Sequence, residues 1–350
     1  MKNMETRIEK VNENYINEQT IRQAGEILKQ GGLVAFPTET VYGLGADALN
    51  PEAVGKVYAA KGRPSDNPMI VHISSKDDMI KLTYEITADI QKLMDAFWPG
   101  PLTMVVPARE IIPKVTTGGL DTVAIRMPKE PIALELIRIS QTPLAGPSAN
   151  LSGKPSPTSY KHVAEDLDGR IDGIIAGDDC EAGIESTVVD MTEDIPAVLR
   201  PGVITAEQLS EALGKKVKID PALLEKPDIF NNGGLLETGA DFKPKSPGMK
   251  YKHYAPKAEM VIYQGDPEKV KLAMAEEKVK RNSFGQKVEV IVFDDEHPED
   301  AAHDFFARLR DCDKAGVDVI LAAALREDGI GFAVMNRMFK SAGYNIKEVL

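Results

Sequence analysis

GGLVAFPTETVYGLGADA, residues 31–48, and VYAAKGRPSDNPMIVHI, residues 57–73, are the stretches whose reading decides the fold. Leu33 to Phe36 is an apolar strand that stops at Pro37, since proline has no amide hydrogen to give a sheet ladder. Thr38, Glu39 and Thr40 therefore fall in a loop, where chemistry can sit. Pro51 opens a helix at its favoured first-turn position, and that helix delivers Lys61 and Arg63 onto a turn. Asn67 and Pro68 follow, then a second strand, Met69 to Ile73, which carries His72. Two cations facing hydroxyls and glycines suit a phosphate-bearing ligand; on spacing alone they read equally as a solvated pair.

Outward from this centre, Ile21, Ala24, Ile27 and Leu28 recur at helical spacing over residues 18–30, and Gly31-Gly32 closes that helix. Residues 76–96 read as one helix, with Met79, Leu82, Ile86, Ile90, Leu93 and Met94 as its apolar stripe. Trp98 is expected under a turn as a core plug. Leu102 to Val106 and Thr122 to Arg126 are strands. Arg126 ends the latter, in a place suited to a carboxylate ligand or to a salt bridge with a neighbour. The loop around Gly146, Ser148 and Asn150 combines small residues with short hydrogen-bonding groups, and Ser152, Ser156 and Thr158 extend it. A helix over 158–168 and strands at 171–177, 188–191 and 198–202 follow, the last carrying Arg200. Strands alternating with helices through residue 210 predict an α/β domain with a twisted mixed sheet. Gly43-Leu44-Gly45 lacks the third glycine of a dinucleotide fingerprint, and no Gly-x-x-x-x-Gly-Lys-Ser/Thr occurs, so any use of ATP proceeds without a P-loop.

Residues 221–257 are rich in proline, glycine and lysine without a sustained period, which suits a linker that also acts as a lid. From Ala258 onward a βαβαβα pattern predicts a small parallel-sheet domain. Its last helix, 330–342, is expected to present Arg337 and Lys340 as one cationic face. The expected boundaries are 17–214 for the first domain, 215–257 for the linker and lid, and 258–350 for a Rossmann-like C-terminal domain.

The chain has 350 residues, 43% hydrophobic and 27% charged, with a net charge of −12. That balance fits a two-domain globular protein and argues against coating nucleic acid through bulk positive charge. No apolar run is long enough for a membrane span, and the polar start of the chain lacks the apolar middle of a secretory signal. With only Cys180 and Cys312, far apart, a cytoplasmic location is expected. The five histidines show no metal-ligand pairing, so no protein-built metal site is expected.

PTETVYGLG, KGRP, WPGPLT, VAIRMP, GPSANLSG, ESTVVD, LRPG, HYAP and AVMNRM stand here in an order that resembles the threonylcarbamoyl-AMP synthase family in its long, two-domain form, from Thr20 to Lys340. The resemblance implies synthesis of L-threonylcarbamoyl-adenylate and pyrophosphate from ATP, L-threonine and bicarbonate or CO₂, the first step of threonylcarbamoyladenosine formation on tRNA. It implies Arg126 at the threonine carboxylate, with Thr40, His72, Gly146 and Ser186 around the rest of that substrate. It implies Lys61, Arg63, Asn67, Thr122, Ser148, Ser156 and Arg200 as nucleotide contacts, with Tyr254 closing over them. Lys61 and Arg63 are the expected catalytic cations, and Mg²⁺ is expected on the phosphates. A tRNA threonylcarbamoyl transferase complex is the expected recipient of the product. A structured-RNA-binding module is the rival reading, against which the acidic net charge weighs. A carbamoyl transferase would need acylphosphatase and zinc-finger segments that neither the length nor the two cysteines allow.

Overall fold

The computed structural model describes residues 5–11, 17–224 and 253–350. The first domain is built on eleven strands: β1 (Arg7–Lys10), β2 (Val34–Phe36), β3 (Gly43–Asp47), β4 (Ile70–His72), β5 (Leu102–Pro107), β6 (Thr122–Arg126), β7 (Leu144–Ala145), β8 (Gly173–Ala176), β9 (Thr187–Asp190), β10 (Ala197–Arg200) and β11 (Lys218–Ile219). They form one mixed sheet in the order β1-β8-β2-β3-β7-β4-β6-β5-β9-β10-β11. β4 runs parallel to β6 with His72 opposite Arg126, while β7 and β5 flank this pair antiparallel, placing Leu144 opposite His72 and Thr103 opposite Arg126. Four strands therefore deliver residues to one level at the end of the sheet. In open α/β sheets ligands bind at such strand ends.

The sheet exceeds the expected boundaries on both sides. β1 pairs with β8 before residue 17, and β11 pairs with β10 after residue 214, so the domain takes in residues assigned to neither its start nor its finish. β1 is polar and exposed throughout and carries no apolar alternation to announce it. Gly43-Leu44-Gly45, to which the sequence pattern assigns no element, belongs to the strand β3. A Cβ on Gly43 or Gly45 would come within 2.9 or 3.0 Å of the Phe36 ring, so the glycines make room for that ring across the β2–β3 ladder.

The expected helix over 76–96 is broken. A short helix, Met79–Leu82, ends where Thr83 turns extended and donates its hydroxyl to the Pro107 carbonyl at 2.8 Å. Thr87 then caps Ala88–Phe97 by accepting from the Ile90 amide. Side-chain bonds of this kind compete with helix continuation. Trp98 is buried, as expected, and donates its indole N–H to the Leu102 carbonyl at 2.7 Å.

The second domain adds β12 (Glu259–Gly265), β13 (Val288–Ile291), β14 (Val319–Ala323) and β15 (Ile346–Val349), all parallel, in the order β13-β14-β12-β15. β15 was not anticipated. Helices Pro298–Ala315 and Gly329–Ala342 pack together and against the first domain: Val41, Ile184 and Tyr254 sit in the same apolar cluster as Phe306, Met335 and Met338. The expected lid segment lies outside the described residues from 225 to 252.

Two arginines cross between the domains. Arg310 donates to Asp166 at 2.8 Å and to the Pro155 carbonyl at 2.6 Å, and both side chains are buried. Arg337 is fully buried against Glu185, which corrects the expected cationic surface; Lys340 is half-buried and bonded to Asn336. Removing one member of a buried pair leaves the other uncompensated. Arg310→Met is expected to cost about 3 kcal/mol, the low end for such a loss because Lys154 still faces Asp166, read as a lowered urea midpoint.

Candidate functional site

The β2–β3 connection, Pro37 to Tyr42, holds Thr38, Glu39 and Thr40 against the strand ends. Thr38 closes the turn by donating to the Val41 carbonyl at 2.7 Å, and its hydroxyl lies 2.9 Å from that of Thr40. Arg126 donates to the Thr40 hydroxyl at 2.8 Å and lies 2.9 Å from Glu39, both side chains being buried. The carboxylate predicted for this guanidinium is thus partly supplied by the chain itself. His72 stands beside Arg126 and edge-on to Phe36, with ring centroids 6.0 Å apart. Gly146 leaves space for it, since a Cβ there would fall 2.7 Å from His72 Nδ1. Burial, reinforced by the Arg126 charge, holds His72 at a pKa of about 3, so its imidazole is neutral.

The cationic half of the cleft grows from the helix Pro51–Lys61. Asn50 caps its start, and a left-handed Gly62 ends it, so that Lys61 points inward from the last turn and Arg63 turns back over it. Lys61 is buried and donates to the Ser148 and Asn150 carbonyls. Burial and the neighbouring Arg63 charge push its pKa well down. Arg63, pulled down to about 10 chiefly by burial, donates to the Pro68 carbonyl at 3.0 Å. Both cations are held by neutral acceptors, an arrangement that an incoming anion would complete.

The opposite wall comes from β9 and β10. Arg200 donates to the Ser186 carbonyl at 3.0 Å and to its hydroxyl at 3.1 Å, and that hydroxyl also lies 2.8 Å from Thr103. Ser156 donates to Glu185 at 2.5 Å. Tyr254, buried and packed at a tilt of 36° against Phe306 with ring centroids 5.0 Å apart, lines the cleft, its hydroxyl pushed up to about 12 by burial and then by Glu185.

Thr40, Lys61, Arg63, His72, Arg126, Gly146, Ser148, Ser156, Ser186, Arg200 and Tyr254 therefore line one cleft. Asn67 and Thr122 do not line it. Extending the β4–β6 register places Thr122 level with Pro68 at the entry end of these strands, where the Asn67 and Pro68 carbonyls accept from Arg63 at 3.4 and 3.0 Å. Sequence reasoning missed Glu185 and His253, which also line the cleft, and the Glu39 pairing. Glu185 and Glu39 are acidic residues set among apolar and hydroxyl neighbours, a signal available in PTET and EST.

The sequence matches the family described as "Telomere recombination" over residues 26–202 and that described as "Threonylcarbamoyl-AMP synthase, C-terminal domain" over residues 204–343. The chain belongs to the threonylcarbamoyl-AMP synthase family. It is 47% identical to the threonylcarbamoyl-AMP synthase of Pyrococcus abyssi over 95% of this chain and 97% of that protein. It is 44% identical to that of Bacillus subtilis over 93% and 94% respectively. The crystal structure of P. abyssi Sua5 complexed with L-threonine superposes with a TM-score of 0.90 at 46% identity, covering 99% of this chain and 100% of that one. In this synthase-family chain, as in that structure, the parallel-sheet domain accompanies the larger one. Among the described residues no helix is long and apolar enough to cross a membrane.

The neutral His72 makes stability depend on pH. Folded His72 takes its proton only near pH 3, whereas the unfolded chain takes it near 6.5. The stabilisation is full above 6.5 and is lost as pH falls. Between pH 7 and pH 5 it costs about 2 kcal/mol. Urea unfolding of wild type and of His72→Gln at the two pH values is expected to show the variant losing about that much less.

Proposed function

We propose that this cleft forms L-threonylcarbamoyl-adenylate and pyrophosphate from ATP, L-threonine and bicarbonate or CO₂, opening threonylcarbamoyladenosine synthesis on tRNA. The observation that carries the reading is a cluster of buried polar atoms at one end of the cleft: among the described residues His72 Nδ1 and Glu39 Oε2 have no hydrogen-bond partner, and Arg126 Nη2 and Glu39 Oε1 have only each other, at 2.9 Å. Buried polar groups are ordinarily satisfied. A zwitterion that also carries a hydroxyl has partners for all of them: a carboxylate for Arg126, an ammonium for Glu39 and a hydroxyl for His72. The other end, with Lys61, Arg63 and Arg200, suits a triphosphate. Its cations are buried within a concavity instead of spread over a face, which fits a small anion better than an RNA backbone.

In the reaction, the threonine amine loses a proton and adds to CO₂ to give a carbamate. A carbamate oxygen then attacks the α-phosphorus, and the bond to the β-phosphate oxygen breaks to release pyrophosphate. No side-chain nucleophile is needed. The chain's part is to bind, to orient and to neutralise charge as it develops. Arg126, Thr40, His72, Gly146 and Ser186 hold the amino acid. Lys61 and Arg63 neutralise the phosphates, with Ser148, Ser156 and Arg200 placing the nucleotide in the cleft, Asn67 and Thr122 meeting it from the entry end of β4 and β6 beyond the cleft lining, and Tyr254 excluding water above it. Mg²⁺, carried on the phosphate oxygens, supplies further charge neutralisation when bound. The residues suit that arrangement: the cationic donors face the phosphates, and the carboxylate lining the cleft, Glu185, is already engaged by Ser156 and Arg337. The product is proposed to pass to a tRNA threonylcarbamoyl transferase complex in the cytoplasm.

Pyrophosphate release from ATP, with L-threonine and bicarbonate each present or omitted, tests the reading; release should require both. Arg63→Ala is expected to lower release by about 100-fold or more with an unchanged circular dichroism spectrum, and near-normal release would refute its role. Serine in place of threonine loses one methyl and is expected to lower kcat/KM by roughly 10- to 200-fold.

A further inference from the structure

We infer that the C-terminal domain is part of the catalytic apparatus, because Arg337 is a positioning residue that fixes the nucleotide-facing wall of the cleft. The inference rests on the adenylate-forming reading above and extends it to a side chain that touches neither substrate.

The wall in question consists of Ser156 and Arg200 together with Ser186, which it shares with the amino-acid end and which Arg200 holds by two hydrogen bonds. Arg337 reaches it from the helix Gly329–Ala342 and grips the residues adjacent in sequence to two of these three. Its Nε donates to Glu185 Oε2 at 3.1 Å and its Nη2 to the Glu185 carbonyl at 3.4 Å, immediately before Ser186. Its Nη1 donates to the Pro201 carbonyl, immediately after Arg200, and to its own helix at the Ala333 carbonyl. The third wall residue is caught through the same carboxylate, since Glu185 Oε1 accepts from Ser156 at 2.5 Å. One guanidinium thus ties together three chain segments that lie far apart in sequence. The fork geometry of arginine is what permits this; a lysine offers a single point charge.

Electrostatics act in the same direction. Burial by itself would raise the pKa of Glu185, but Arg337 first, then Arg200 and the Ser156 hydrogen bond, outweigh it and keep the carboxyl below its ordinary range. An ionised Glu185 accepts from Ser156; a protonated one would compete for that bond. At the amino-acid end Ser186 is tied to Arg337 through the preceding Glu185 carbonyl, whereas Arg126, Thr40 and His72 are held by β4, β6 and the β2–β3 connection.

The test uses the full chain and the pyrophosphate assay, with KM for ATP and for L-threonine determined separately for wild type, Arg337→Met, Arg337→Lys and the double variant Glu185→Gln/Arg337→Met. Arg337→Met is expected to raise KM for ATP at least tenfold while KM for threonine changes less than threefold, and Arg337→Lys to recover only part of the loss. The double variant removes both buried charges, so its thermal midpoint should return toward wild type while KM for ATP stays elevated. That split separates positioning from mere structural support. Equal loss for both substrates, or wild-type KM for ATP in either folded Met variant, would overturn the inference. Should Arg337→Met fail to fold, the double variant decides. Wild-type enzyme without threonine-dependent pyrophosphate release would instead sink the underlying reading, and the inference with it.

Discussion

Three guanidinium groups, those of Arg126, Arg200 and Arg337, are buried around one cleft with a fourth, that of Arg63, half-buried beside them, and a charge removed from water is tolerated only where acceptors surround it. The chain meets that demand from its own backbone and two carboxylates. Arg63 uses the carbonyls of Asn67 and Pro68, Arg126 those of Gly100 and Glu39's side chain, Arg200 that of Ser186, and Arg337 those of Glu185 and Pro201. The loops that bear these carbonyls are therefore shaped by the cations.

This balance explains why the two ends of the cleft differ. At the amino-acid end a neutral imidazole and a matched arginine–glutamate pair leave little net charge, which suits a zwitterion. At the nucleotide end the hydrogen bonds of Lys61 and Arg63 go to backbone carbonyls, which suits a ligand that brings its own negative charge. Association with such a ligand offsets a desolvation cost already incurred in folding, the logic of a preorganised electrostatic site.

Much of this was legible in the sequence wherever local chemistry governs. Pro37 ended a strand, Pro51 began a helix, and the residues expected around the substrates meet, apart from Asn67 and Thr122, on one cleft. What was not legible depended on distant partners. Nothing near Arg337 in sequence reveals that its guanidinium meets Glu185, so its helix read as solvated. Short strands such as β1, β7 and β11 owe their existence to the neighbours they pair with and carry no pattern of their own. The break after Leu82 turned on a threonine hydroxyl finding a carbonyl twenty-four residues later. Gly43 and Gly45, too few for a dinucleotide fingerprint, had no evident role in the sequence and turned out to accommodate the Phe36 ring.

The shared level of Leu144, His72, Arg126 and Thr103 across four strands has a consequence for how such a protein tolerates change. Side chains alternate faces along a strand, so adding or deleting one residue within β4 or β6 turns imidazole or guanidinium to the wrong side of the sheet and exposes its apolar neighbours in exchange. Length variation is therefore confined to the connections, while the four strands drift only by substitution. The recognition chemistry and the hydrophobic packing share a single reading frame, and neither can be shifted without the other.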